Sequence, residues 1–146
     1  MDYFEDIAVG DTQVHGTYDV TAAEIVEFAE QYDPQPFHTD PEAATESAFG
    51  ELVASGWHTA SMCMRLYVDG ILTDRAGMGA RGVDELRWRQ PVRPGDELRI
   101  ETEVLDKRTS ESDPRRGYVD ERLEGLVGDD IVISWVSLSM VERHAE

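Results

Sequence analysis

The stretch from Trp57 to Thr73 sets the strongest constraint on how this chain folds. Trp57, Ala60, Met64, Tyr67, Val68 and Ile71 recur at helical spacing and mark one face. Met62, Cys63, Leu66 and Leu72 make most of the remaining circumference apolar as well. A helix that is hydrophobic nearly all round has to be enclosed by the rest of the chain. The enclosing material follows it. Gly77, Gly79 and Gly82 punctuate a loop, and Val83 to Gln90 reads as a strand. A turn at Pro91-Val92-Arg93-Pro94-Gly95-Asp96 leads to Leu98, Ile100, Thr102 and Val104, which alternate with charged residues as in a half-buried strand. Ser110 to Arg116 is polar and fits a loop or hairpin tip. Tyr118 to Val127 and Ile131 to Glu142 flank a Gly128-Asp129-Asp130 hairpin turn. The last of these strands is apolar on both faces, which places it in the middle of a sheet. One buried helix followed by a long antiparallel sheet is an α+β layer arrangement.

The first half supplies a weaker strand, Thr12 to Val20, and then an amphipathic helix. Thr21 is its expected N-cap, and Glu24 three residues later completes a capping box. Ile25, Phe28, Ala29 and Tyr32 form its apolar face. The helix runs into Asp33-Pro34-Gln35-Pro36-Phe37-His38-Thr39-Asp40. Each proline fixes its own φ and pushes the preceding residue toward extended geometry. Asp33 and His38 are thus expected on a stiff, non-helical segment, an acid and a base held in fixed relation. The plain alternative is a proline-rich turn with a surface Asp and His. A short helix with proline in its first turn follows at Pro41.

The 146 residues fit a single domain spanning 1–146. No apolar run approaches the length of a membrane span. Met1-Asp2-Tyr3-Phe4-Glu5-Asp6 lacks the features of a signal peptide, so the expected location is cytoplasmic. Cys63 is the sole cysteine and reads as a small buried hydrophobe. The net charge is −18, with 31 acidic against 13 basic residues and Lys107 the single lysine. Acidity spread along the whole chain suggests adaptation to high salt, where self-repulsion is screened. It argues against nucleic-acid binding, since no basic stripe is present.

Asp33, Gln35, Pro36, Phe37, His38, Asp40 and Pro41 together resemble the hydratase pattern of the MaoC-like dehydratase family, which includes the (R)-specific enoyl-CoA hydratases. That pattern reads Asp, variable, Asn, Pro, apolar, His, variable, Asp or Glu, Pro. Gln35 stands where Asn is usual. The resemblance extends over Val53-Ala54-Ser55-Gly56-Trp57-His58-Thr59 and over Arg87-Trp88 through Asp96. It implies the hotdog fold, an antiparallel sheet wrapped around a long central helix. It also implies reversible hydration of a 2-enoyl-CoA to a (R)-3-hydroxyacyl-CoA, with the thioester as substrate and no separate cofactor.

Such a reaction needs a base to activate water, an acid for the α-proton and donors for the developing thioester oxyanion. The resemblance assigns the first two to Asp33 and His38 as a pair, and the third to the backbone of Gly56. Ser55 and His58 are candidate neighbours at the substrate, though His58 is equally explained as a helix-start histidine. Some relatives place a serine where this chain has Met64, with Ser61 as the candidate replacement. His15 and His144 read as strand or surface residues. His38 and Asp40 lack a third metal ligand at suitable spacing, and Asp40 fits better as a helix cap. Arg87, Arg89 and Arg93 could meet CoA phosphates or simply be solvated. A thioesterase on the same fold, or a non-catalytic acyl-CoA-binding protein, stays open. The exposed edge expected of such a sheet, together with the active-site placement of the resembling family, implies a homodimer or higher even oligomer.

Overall fold

The computed structural model describes residues 1–144. A short turn of helix at Phe4–Asp6 precedes β1, Thr12–Asp19, and α1, Ala22–Tyr32. Two short helices follow, α2 at Pro36–Thr39 and α3 at Pro41–Thr45, and then the long α4, Gly56–Gly70. The remaining strands are β2 (Gly77–Trp88), β3 (Glu97–Thr109), β4 (Arg116–Val127) and β5 (Asp130–Glu142). They form one antiparallel sheet in the order β1-β3-β4-β5-β2. α4 lies against the concave core of that sheet, so the expected α+β hotdog arrangement is present.

The alternation read in β3 is realised: Leu98, Ile100, Thr102 and Val104 are buried, while their neighbours are not. β5 is interior, as expected, paired on both sides by β4 and β2. Gly128, at φ 58°, turns the β4–β5 hairpin. Two expectations are corrected. The Gly77–Gly82 segment is not a loop but the first half of β2, with register shifts near Gly77, Ala80 and Gly82. Gly79, at φ 88°, takes a conformation that a bulged edge strand needs and that a loop would also use.

The second correction concerns α4. It buries His58, Thr59, Met62, Cys63, Leu66 and Tyr67. Trp57, Met64 and Val68, taken from sequence as core, are exposed. The helix is apolar on two sides, and its own sheet covers only one. On the covered side the approach is close: a Cβ on Gly125 would lie 2.6 Å from the Cys63 sulfur. Burial pushes the Cys63 thiol up to about 12, consistent with an inert core residue. Among the described residues, no helix is long and apolar enough to cross a membrane.

One polar knot lies inside this layer. The Arg75 guanidinium donates to both oxygens of Glu121, at 2.7 and 3.0 Å, and both side chains are almost fully buried. The Tyr67 hydroxyl donates to the same carboxylate. Burial, then the adjacent negative charge, pushes the Tyr67 phenol well above its ordinary range.

Candidate active site

Thr21 caps α1 by accepting from the Glu24 N–H, as expected. The reciprocal half of the capping box does not form, because the Glu24 carboxylate turns toward the sheet. It accepts from the Tyr18 hydroxyl and faces His58 Nε2 at 3.1 Å. α1 ends at Asp33, the residue before Pro34. The segment beyond is not wholly non-helical as expected. Pro36 to Thr39 makes one helical turn, with Gln35 as N-cap and Pro36 in the first turn. The fixed φ of proline suits that position. This turn carries His38 back toward Asp33.

The result is a close pair. His38 Nε2 stands 3.5 Å from Asp33 Oδ2, longer than a good hydrogen bond. His38 Nδ1 lies 2.6 Å from the Val53 carbonyl oxygen. A carbonyl only accepts, so Nδ1 carries a hydrogen and neutral His38 keeps its lone pair on Nε2. Asp33 is tied on both oxygens. Gln35 Nε2 donates to Oδ1 at 2.6 Å, and Ser55 Oγ donates to Oδ2 at 2.8 Å. Burial pushes the Asp33 carboxyl up, but these two donors and the nearby imidazole outweigh it and leave the group below its ordinary value.

The pair opens on a cavity of about 460 Å³, also lined by Phe37, Gly56, Trp57, Thr59, Trp88 and Arg89. Gly56 is the first residue of α4, and the Ser55 side chain makes no capping bond there. The first N–H groups of a helix have no intrahelical partner, and the positive end of the dipole backs them. Asp33, His38, Ser55 and Gly56 therefore lie together at the start of α4.

His58 is not brought to this cavity. It is buried, stacked on Phe28 with ring centroids 4.7 Å apart, and lines a separate hollow with Tyr18, Glu24 and Ser61. Ser61 does not take the place of the serine replaced by Met64, because its hydroxyl donates back to the Trp57 carbonyl at 2.8 Å. Met64 lies in a third, apolar cavity beside β2. Asp40 caps α3, accepting from the Glu42 and Ala43 N–H groups. Of the three arginines, Arg89 lines the main cavity, Arg93 pairs with Glu51 and Arg87 bonds its neighbour's carbonyl. Asp69, the carboxylate carried by α4, pairs with Arg65 in the exposed last turns, away from the cavity. His15 sits on β1 against Gly70, and His144 pairs with Asp6 at the surface.

Two contributors were not foreseen. The Val53 carbonyl carries no side-chain signal. Trp88 closes over Gly56 and meets Trp57 edge-on, centroids 4.9 Å apart. An indole flanking the Pro91–Asp96 turn was the available hint.

The chain is similar to several known proteins. The protein MaoC of Klebsiella aerogenes is 37% identical over 99 residues, covering 67% of this chain, and the match spans only 29% of that longer protein. The crystal structure of a MaoC-like dehydratase from Rhodospirillum rubrum superposes with a TM-score of 0.92 at 43% identity, covering all of both chains. An (R)-hydratase from A. caviae shares the fold, with a TM-score of 0.70 at 23% identity over 96% of this chain and 99% of that one. The family described as MaoC like domain matches residues 6–123. On that match and those likenesses, the chain belongs to the MaoC-like dehydratase family.

Proposed function

We propose that this chain is an acyl-CoA hydro-lyase that reversibly hydrates a 2-enoyl-CoA to a (R)-3-hydroxyacyl-CoA. The observation that carries the reading is the Asp33–His38 pair, with its 3.5 Å gap open to the cavity at the start of α4. One water can bond to the carboxylate and to His38 Nε2 at once. Its oxygen adds to the β-carbon, and a proton is delivered to the α-carbon. Negative charge develops on the thioester oxygen, where the Gly56 N–H and the helix dipole favour it. A thioesterase would need its carboxylate aimed at the carbonyl carbon. Asp69 is too far along α4 for that role and is already paired. The same reading places the reaction in the cytoplasm, and its anionic substrate would find Arg89 at the cavity wall.

The test is incubation with crotonyl-CoA and a panel of longer enoyl-CoAs in molar salt, following enoyl absorbance and free thiol together. Loss of the enoyl chromophore without thiol release is the expected result. Thiol release would make the chain a thioesterase, and neither signal on any substrate would leave a binding protein.

A further inference from the structure

We propose that Gln35 and Ser55 are positioning residues that clamp the two oxygens of Asp33, keeping the carboxylate ionised and turned toward His38 Nε2. The inference rests on the hydratase reading for its kinetic test only.

The clamp is built from two sides of the site. Gln35 sits in the tight turn after α1, where its own N–H donates to the Asp33 carbonyl at 2.8 Å. That turn folds the side chain back, and Nε2 reaches Oδ1 at 2.6 Å. Ser55 comes from the far side, as N-cap of α4, and is fully buried. A serine at an N-cap ordinarily spends its hydroxyl on its own helix. Here it makes no such bond and donates to Oδ2 instead, across 22 positions of sequence. Forgoing the cap leaves the α4 N–H groups free for a ligand and hands the hydroxyl to the carboxylate.

Two donors on an anion favour the charged form and fix the plane of the group. Without them, burial would push the carboxyl up and the plane could rotate away from the imidazole. The other charged or titratable groups at the cavity are His38 on α2 and Arg89 beyond β2, while α4 contributes Ser55 and no charge there. Gln35 is also where this chain departs from the family pattern. Its Nε2 reaches the carboxylate two residues back.

The sign follows from the lowered carboxyl. Removing a donor raises the pH at which Asp33 protonates, so the acid limb of kcat/KM moves toward neutral. Gln35→Leu and Ser55→Ala in the intact chain are each expected to move that limb, with kcat/KM on it falling about tenfold relative to the plateau. The double variant should move it further. Direct titration of the Asp33 carboxyl by carbon NMR reads the same clamp without turnover. An acid limb and an NMR titration both unmoved in Gln35→Leu and Ser55→Ala would overturn the clamp, even if activity dropped uniformly. A wild-type chain that hydrates no enoyl thioester, but whose carboxyl titration shifts in the variants, would sink the hydratase reading and leave the clamp standing.

Discussion

The indole of Trp88 lies directly on the Cα of Gly56: a Cβ at that position would fall 2.5 Å from the ring's Cε2. The end of an edge strand thus seats the first turn of α4, and the seat exists only because residue 56 has no side chain. At a helix start, replacing glycine by alanine ordinarily helps by reducing the entropy lost on folding. Here Gly56→Ala is expected to cost about 1–3 kcal/mol, because the indole must swing off the helix. Urea unfolding would check this. Adding Trp88→Ala should make the second change nearly free, and a stabilised Gly56→Ala would refute the packing account.

Asp33→Asn and His38→Ala should each lower enoyl hydration by about 10²–10⁴-fold while the chain stays folded. The variants keep the α4–sheet core, which neither side chain builds. Near-normal turnover in either, with an unchanged melting curve, would end the mechanism.

The Arg75–Glu121 pair should behave as a buried ion pair. Glu121→Gln strands a buried guanidinium and is expected to cost about 3–5 kcal/mol. Arg75→Met with Glu121→Leu removes both charges and should cost less than either single change. A double variant as damaged as the sum of the singles would show that the charges do not interact as their geometry implies.

Among the described residues, β2 pairs only with β5, and Met78, Val83 and Trp88 on it are exposed. Trp57, Met64 and Val68 on α4 are exposed too. An unpaired edge with apolar residues is a place for another chain to bind. The expected assembly is a homodimer or higher even oligomer. Light scattering in high salt that returned the mass of one chain would rule it out.

Several arginines are already committed to local carboxylates, as in Arg65–Asp69, Arg115–Asp113 and Arg143–Glu5. The excess charge of −18 is left to repel itself. Screening falls from a Debye length of about 30 Å at 0.01 M salt to about 3 Å at 1 M. Melting temperature and turnover should therefore both rise between dilute and molar KCl. Flat or falling curves would remove the high-salt reading.

What the sequence made legible follows from what each pattern encodes. The β3 alternation names its own buried face, and the prolines after Asp33 mark the end of α1 but not the helical turn that carries His38. Periodicity in α4 shows that two faces are apolar but not which one its own sheet covers, so Trp57 and Met64 were misplaced. The Gly77–Gly82 run was misread because glycine serves bulges and loops alike. Glu121 looks like any outward charge on a strand until Arg75 and Tyr67 arrive from distant positions. The Val53 carbonyl could not be found at all, since every residue has one.

That carbonyl has a stereochemical consequence. With Nδ1 held by Val53, His38 has a single port for protons, Nε2, and that port faces the same opening as Asp33. In the proposed hydration, a proton taken from water and a proton returned to carbon would both meet the substrate from that side. The two new bonds would then form on the same face of the double bond, in keeping with the syn addition that the resemblance to the (R)-hydratases implies. Hydration in deuterated water would display this in the relative configuration of the two product carbons.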